Sequence, residues 1–187
     1  MGCGIIEKRK KPLNHLKSNK TNMKFGSNIL FIMVAICIGT VAAQVAEWDC
    51  STTTGVFKRS TDCTISSQIV VTGKLNVTGI PDAQGNLPKI IGGGSNRLFK
   101  VENGRELVVK SLNLTGGNAK GTDNGGAIYI DKGHLLSENV IFHKNVANLG
   151  GAVFCEDGNI TFHTARFSFN SAQVGGAIYT MISTVNI

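Results

Sequence analysis

GGAIY at residues 125–129, GGAVF at 150–154 and GGAIY again at 175–179 return at an interval of 25 residues. The residues between them repeat too. Phe142 and Asn145 of FHKN recur as Phe167 and Asn170 of FSFN, and Ala147 recurs as Ala172. A fixed period of this size is the signature of a solenoid, a propeller or a helical array, and unit content separates the three. The stretches GHLLSENVIFHKN and GNITFHTARFSFN are rich in Ile, Phe, Val and Thr and carry no apolar period of about 3.6 residues, so they predict strands. A four-stranded propeller blade needs roughly 40 residues. The unit therefore fits one coil of a right-handed parallel β-helix, in which two or three short strands joined by tight bends stack on the coil before.

In such a stack equivalent residues lie about 4.8 Å apart and form ladders of like side chains. The spacing predicts an aliphatic ladder of Ile128, Val153 and Ile178, a small-residue ladder of Ala127, Ala152 and Ala177, and an aromatic ladder of Tyr129, Phe154 and Tyr179. Strand alternation puts Ala and the aromatic on one face and Ile on the other, with Ile turned inward. Phe142 over Phe167 and Asn145 over Asn170 continue the pattern, the asparagines hydrogen-bonding along the stack. The glycine pairs fit corners that need positive φ or close backbone approach. Upstream, Leu114 matches Phe142 and Ala119 matches Ala147 at an offset of 28, with the three extra residues in a longer turn at KGTDN. Short β-branched runs at TISSQIVVTGKLNVTG and PKIIGGGSNRLFKV read as earlier, less regular coils.

On these motifs the chain resembles the right-handed parallel β-helix, or pectin-lyase-like, superfamily. The pairing of GGAI with FxxN is also similar to the passenger repeats of chlamydial polymorphic outer-membrane proteins. The close resemblance spans residues 107–187, and a looser one reaches back to about Thr64. It implies a surface-exposed or secreted scaffold, with adhesion among the functions, although no β-barrel translocator follows and the array stops inside a coil at Ile187.

The fold expected is all-β, a parallel β-helix of about 25 residues per coil preceded by an N-terminal hydrophobic helix. Its parts are a basic cytosolic leader at 1–24, a signal peptide or signal-anchor helix at 25–46, an N-terminal cap at 47–65 and the β-helix at 66–187, truncated at its C-terminus. The formal charge of +7 follows this division. Residues 1–24 hold seven Lys or Arg against Glu7, whereas the rest of the chain holds 12 basic and 11 acidic residues. A nearly neutral β-region offers no electrostatic footprint for nucleic acid. Residues 25–46 carry no charge and suffice to cross a bilayer as a helix. Lysines before and Glu47 and Asp49 after them place the amino terminus in the cytosol. Val41 and Ala43 supply a signal-peptidase site, with Met23 as an alternative start; a start at Met1 fits an uncleaved anchor. Both readings export the β-region, to the membrane surface or the medium.

Export separates the cysteines. Cys3 falls in the leader and Cys37 in the apolar segment, while Cys50 and Cys63, with 12 residues between them at the start of the exported part, are expected to form a disulfide across the cap. Cys155 stands where the repeat has Ile130 and Thr180, and reads as a small residue on a strand. Asn76 in NVT, Asn113 in NLT and Asn159 in NIT are acceptor sequons for N-glycosylation, turned outward while Leu75, Leu112, Leu114 and Ile160 turn in.

Many β-helix proteins act on polysaccharides through clustered carboxylates or a calcium site. The 11 acidic residues of the exported part are mostly isolated. Glu138 and His163 occupy equivalent positions on neighbouring coils and are the best catalytic pair, for which a surface ion pair is the plainer reading. His134, His143 and His163 share no ladder position, and the cysteine spacing fits no zinc motif. No catalytic residue, metal or cofactor is assigned. The function expected is a non-catalytic adhesin-like or carbohydrate-binding scaffold with cell-surface or extracellular-matrix carbohydrate or protein as partner; the alternative is a fragment of a polysaccharide lyase or glycoside hydrolase.

Overall fold

The structure is a computed structural model that describes residues 44–187 apart from Lys120 and Thr122. The basic leader and residues 25–43 of the apolar segment lie outside the described residues, as do the expectations placed on them. Among the described residues no helix is long and apolar enough to cross a membrane.

The chain winds through parallel strands as an all-β solenoid of about five turns. β1 (Gly55–Arg59), β2 (Cys63–Ile65), β3 (Ile69–Val71), β4 (Lys74–Gly79) and β5 (Lys89–Gly92) form its beginning. β6 (Phe99–Glu102), β7 (Glu106–Lys110), β8 (Asn113–Thr115) and β9 (Asn118–Ala119) make one turn, followed by β10 (Ile128–Asp131), β11 (His134–Glu138), β12 (Ile141–His143) and β13 (Val146–Leu149). β14 (Val153–Glu156), β15 (Asn159–His163), β16 (Arg166–Ser168) and β17 (Ser171–Val174) repeat that turn, and β18 (Ile178–Met181) and β19 (Thr184–Asn186) begin the next. Four sheets result. Sheet A runs β1-β4-β7-β11-β15-β19, sheet B β2-β5-β8-β12-β16, sheet C β3-β6-β10-β14-β18 and the narrow sheet D β9-β13-β17.

The register confirms the repeat. Ile128 lies opposite Val153 and Val153 opposite Ile178, Phe142 lies between Leu114 and Phe167, and Ala147 lies between Ala119 and Ala172. The three extra residues fall between Ala119 and Ile128, where β13 and β14 have a shorter connection. Inward residues form continuous apolar columns: Phe99, Ile128 and Val153 from sheet C, Leu75, Leu107, Leu135 and Ile160 from sheet A, and Ile90, Leu114 and Phe142 from sheet B, all buried. Phe142 and Phe167 stack at 4.8 Å with their planes 5° apart, and Phe162 meets both edge-on.

Ile128 and Val153 point inward, as expected, but Ala does not share the outer face with the aromatic. Ala127 and Ala152 are fully buried members of the core. They sit in the bend before the strand, so the two-residue alternation starts only at Ile128 and Val153. Tyr129, Phe154 and Tyr179 stack outside the core at 5.3 and 5.8 Å.

The first glycine of each pair is required by space as well as by backbone angle: a Cβ would lie 2.2 Å from the Ile128 carbonyl oxygen at Gly125 and 2.2 Å from that of Val153 at Gly150. Gly125, Gly150 and Gly175 have φ of 65, 58 and 78°. Gly151 is needed for close approach, since a Cβ there would lie 2.5 Å from the Gly176 carbonyl oxygen and 2.6 Å from that of Ser171. Replacing Gly151 by Ala is expected to destabilise the fold by at least about 2 kcal/mol, because backbone has to move. Gly85→Ala, whose Cβ meets nothing at φ +83°, should cost only about 1 to 2 kcal/mol. Urea denaturation of both variants checks the ordering. Other corners are turned by single residues that are not glycine: Lys132, Asp157 and Ile182 between sheets C and A, and Ser111, Asn139 and Thr164 between sheets A and B, all with φ between 46 and 57°, while Asn103 shares its corner with Gly104. One residue of opposite twist suffices to redirect a strand.

One inward position breaks the apolar column. Ser137 lies between Val109 and Phe162 in register, is fully buried, and its hydroxyl has no hydrogen-bond partner. Ser137→Ala removes an unsatisfied polar group at little cost in volume. It should raise the unfolding free energy by about 1 kcal/mol, read as a higher urea midpoint at unchanged slope.

Candidate functional surface

The outward positions of sheet A form three ladders. Lys74, Glu106, His134 and Asn159 make one; Asn76, Val108, Leu136 and Thr161 the middle one; Thr78, Lys110, Glu138 and His163 the third. Each of the outer two holds one pair of opposite charges on neighbouring turns. Lys74 Nζ lies 2.9 Å from Glu106 and Lys110 Nζ 2.5 Å from Glu138. The middle ladder is apolar at its centre, where Val108 is buried although it points away from the core.

Glu138 and His163 are register partners, as the sequence predicts. Glu138 is engaged by Lys110, whose hydrogen bond and charge hold its carboxyl below the usual range. A glycosidic general acid needs the opposite shift. The ion pair at this position joins Glu138 to Lys110 of the turn below, not to His163. The histidines stand apart: His134 is in register with Asn159, whose Nδ2 lies 3.3 Å from its Nδ1, while His143 Nδ1 lies 2.9 Å from Ser168 Oγ. Among the described residues no group of three or more His, Cys, Asp or Glu is placed to hold a metal. Cys155 is fully buried between Ile130 and Thr180 in register, and burial pushes its thiol pKa up.

On sheet C the stacked rings run beside a row of carboxylates, Glu102, Asp131 and Glu156 in register. Arg97 closes the lower end of this stack, with its guanidinium 4.8 Å from the Tyr129 ring centre. Its Nε and Nη2 donate to the Asn124 carbonyl at 2.9 and 2.6 Å, its Nε also to that of Gly125, and its Nη1 to Gln68 at 2.6 Å. Arg97 thus pins the longer turn before β10. Sequence reading missed it, because its carbonyl partners lie 27 and 28 residues downstream and carry no side-chain signature.

The outer face of sheet B carries two clefts. The nine residues 80–88 between β4 and β5 fold back over its outer face, leaving a cleft of about 520 Å³ against Asp62, Lys89 and Asn113. A second, of about 560 Å³, opens against Asn139, Thr164 and Arg166. Both volumes lie in the range of small-ligand sites. The loop is braced from within: one Asp82 carboxylate oxygen accepts the Gln84 and Asn86 N–H groups at 2.9 and 2.8 Å, and the other accepts the Asn86 side-chain amide at 2.8 Å.

At the N-terminal end Cys50 and Cys63 form the expected disulfide, with Cα atoms 6.4 Å apart. Asp49 accepts the N–H groups of Thr52 and Ser51 and the Thr52 hydroxyl, which hold its carboxyl well below the usual range, and the hydrogen bond from the Ser60 N–H lowers that of Glu47. A depressed native pKa supplies stability that is complete above the unfolded value and is lost as pH falls through the folded one. These two groups should therefore leave the melting temperature flat from pH 8 to about 5 and contribute to its fall only below about pH 4. Asp49→Asn should flatten part of that acid slope in thermal scans taken across the range.

The sequon asparagines all face outward, as expected. Asn159 is exposed on β15, Asn76 is half-buried on β4, and Asn113 is half-buried on β8 with its Oδ1 enclosed and without a partner. Comparison with known protein families, with curated protein sequences and with solved structures gave no match.

Proposed function

We propose that this chain is an exported β-solenoid scaffold, secreted or tethered to a membrane by residues 25–46, whose outer faces serve adhesion or carbohydrate binding without catalysis. The observation that carries the reading is the regularity of the outer faces. Their ladders repeat at the strand spacing, and on sheet A the carboxylates of Glu106 and Glu138 are spent on lysines of the neighbouring turn. Such a face is suited to repeated weak contacts along a partner rather than to one reactive centre. Export is supported by the Cys50–Cys63 disulfide, a bond that persists in oxidising compartments. A right-handed winding follows the strong preference of parallel crossovers. Kinship with the pectin-lyase-like superfamily and with chlamydial polymorphic outer-membrane repeats rests on the GGA(I/V) and FxxN motifs and their register.

The test is a pair of measurements on the exported protein. Retention on immobilised cell-surface or matrix polysaccharides, with no change in their chain length, is the expected result. Release of unsaturated or reducing ends from polyuronides would replace the scaffold by the lyase or hydrolase reading.

A further inference from the structure

We infer that the three sequons of the exported part are not equivalent, and that in the native protein Asn159 carries an N-glycan while Asn113 stays bare. This rests on the export reading above. Modification joins the Asn Nδ2 to the anomeric carbon of an oligosaccharide carried on a lipid pyrophosphate. The bond from that carbon to the pyrophosphate oxygen breaks, the lipid pyrophosphate leaves with the electron pair, and Nδ2 gives up one proton. The product places a branched, hydrated chain directly on Nδ2, so the folded protein must leave open space there.

Asn159 meets that requirement: its Nδ2 contact, 3.3 Å to His134 Nδ1, is on the exposed surface and needs only the one N–H that modification leaves. It opens β15 on the outer face of sheet A, is exposed, and has exposed neighbours in register, His134 below and Thr184 above. Its sequon hydroxyl, Thr161, lies two residues on and on the same face.

Asn113 does not. It sits in the middle of sheet B between Lys89 and Ile141, with its N–H donating to the Pro88 carbonyl at 3.0 Å. The 80–88 loop forms the opposite wall of its cleft, and Asn113 Oδ1 is enclosed without a hydrogen-bond partner. A glycan stem there would have to displace a loop that Asp82 braces from within and that Pro81 and Pro88 stiffen at both ends. Chains modified at Asn113 before folding would be unable to close the loop, so the native population is depleted of them. The consequence is spatial: a glycan rises from the start of β15, at one edge position of the sheet A face, and the cleft of sheet B stays free of one.

The full chain is expressed in cultured animal cells, and glycan occupancy at each sequon is read by mass spectrometry after enzymatic release in heavy-oxygen water. Protein from the medium should show Asn159 occupied and Asn113 empty. Asn159→Gln should lose the mass of one glycan, and Asn113→Gln should lose none. Shortening the loop by replacing residues 82–86 with two glycines should switch Asn113 to occupied, while Asn159 occupancy and an unchanged β-sheet circular dichroism spectrum report that the variant still folds. Occupied Asn113 in the unaltered folded protein, or an empty Asn159 in secreted protein, overturns the inference. Asn113 still bare in the folded loop variant removes the loop as its cause. A chain found by fractionation in the cytosol, with no glycan, overturns the export reading and the assignment with it.

Discussion

Replacing Asn145 by Ala is expected to lower the unfolding free energy by about 3 to 5 kcal/mol, among the largest effects of any polar substitution in this solenoid. Asn145 is fully buried, and both ends of its carboxamide are in use. Its Oδ1 accepts the N–H of Gly117, the equivalent residue of the turn below, at 2.9 Å. Its Nδ2 donates to the Leu114 carbonyl and to Asn170 Oδ1, each at 3.0 Å. Asn170 Oδ1 also accepts the backbone N–H of Asn145 at 3.0 Å, so each asparagine satisfies the corner of the turn beneath it. Truncation leaves the Gly117 N–H and the Leu114 carbonyl short of partners in a space closed to water, and adds a cavity. Each buried orphan costs about 1 to 3 kcal/mol. Asn170→Ala, at a half-buried position, should cost about half as much, since water can reach the groups it releases. Asn145→Asp separates hydrogen bonding from volume. It keeps the acceptor toward Gly117 but loses both donors and buries a charge, which raises the native carboxyl pKa above its unfolded value. The added penalty is therefore greatest above the native pKa and shrinks as pH falls toward the unfolded one. Urea midpoints of Asn145→Asp relative to the unaltered protein at pH 7 and pH 4 give the sign; a gap that widens on acidification would count against a buried asparagine ladder.

Asn145 also shows why so much of the fold was legible in the sequence. A parallel stack places residue i against its repeat equivalent, so a contact between distant residues is printed as a local period. The pairing of Phe142 with Phe167, the asparagine ladder, and the Glu138–His163 pairing are all read directly from the interval of 25 residues. What lies outside the period is harder to read. Strand alternation puts Ala127 on the outer face, but it is buried in the core because alternation fails in the bend that precedes β10. The corners at Asn103, Lys132 and Asp157 share a conformation but not a residue type. The candidate cleft depends on a loop that occurs once and packs on residues far along the chain, Asn113 and Arg166 among them. Nothing in PDAQGNLP announces sheet B as its partner.

The cap is the other element made only once, and Trp48→Ala is expected to cost about 3 to 5 kcal/mol. Trp48 is fully buried and stacks on Phe99 of β6 with centroids 5.9 Å apart. Its Nε1 donates to the Thr52 carbonyl at 3.0 Å, its backbone N–H donates to the Lys58 carbonyl at 2.7 Å, and its own carbonyl accepts from Arg59 at 2.9 Å. One side chain thus joins the segment ahead of β1 to the core of later turns. A solenoid is held by interfaces between neighbours, and a terminal turn has only one, so the cap must supply what a further neighbour would have given. Trp48→Phe keeps the stacked ring but strands the Thr52 carbonyl, at about 1 kcal/mol. Reduction of Cys50–Cys63 should cost about 2 to 4 kcal/mol, and less than that in the Trp48→Ala background, since both features restrain the same segment. The sequence contains a single tryptophan, so its fluorescence reports the cap alone while far-ultraviolet circular dichroism reports the sheets. Coincident urea transitions by the two probes would mean that cap and stack unfold as one unit. An earlier fluorescence transition would mean that the first turn frays while the ladders above it hold, and the loss in Trp48→Ala would then be confined to the first strands in hydrogen exchange.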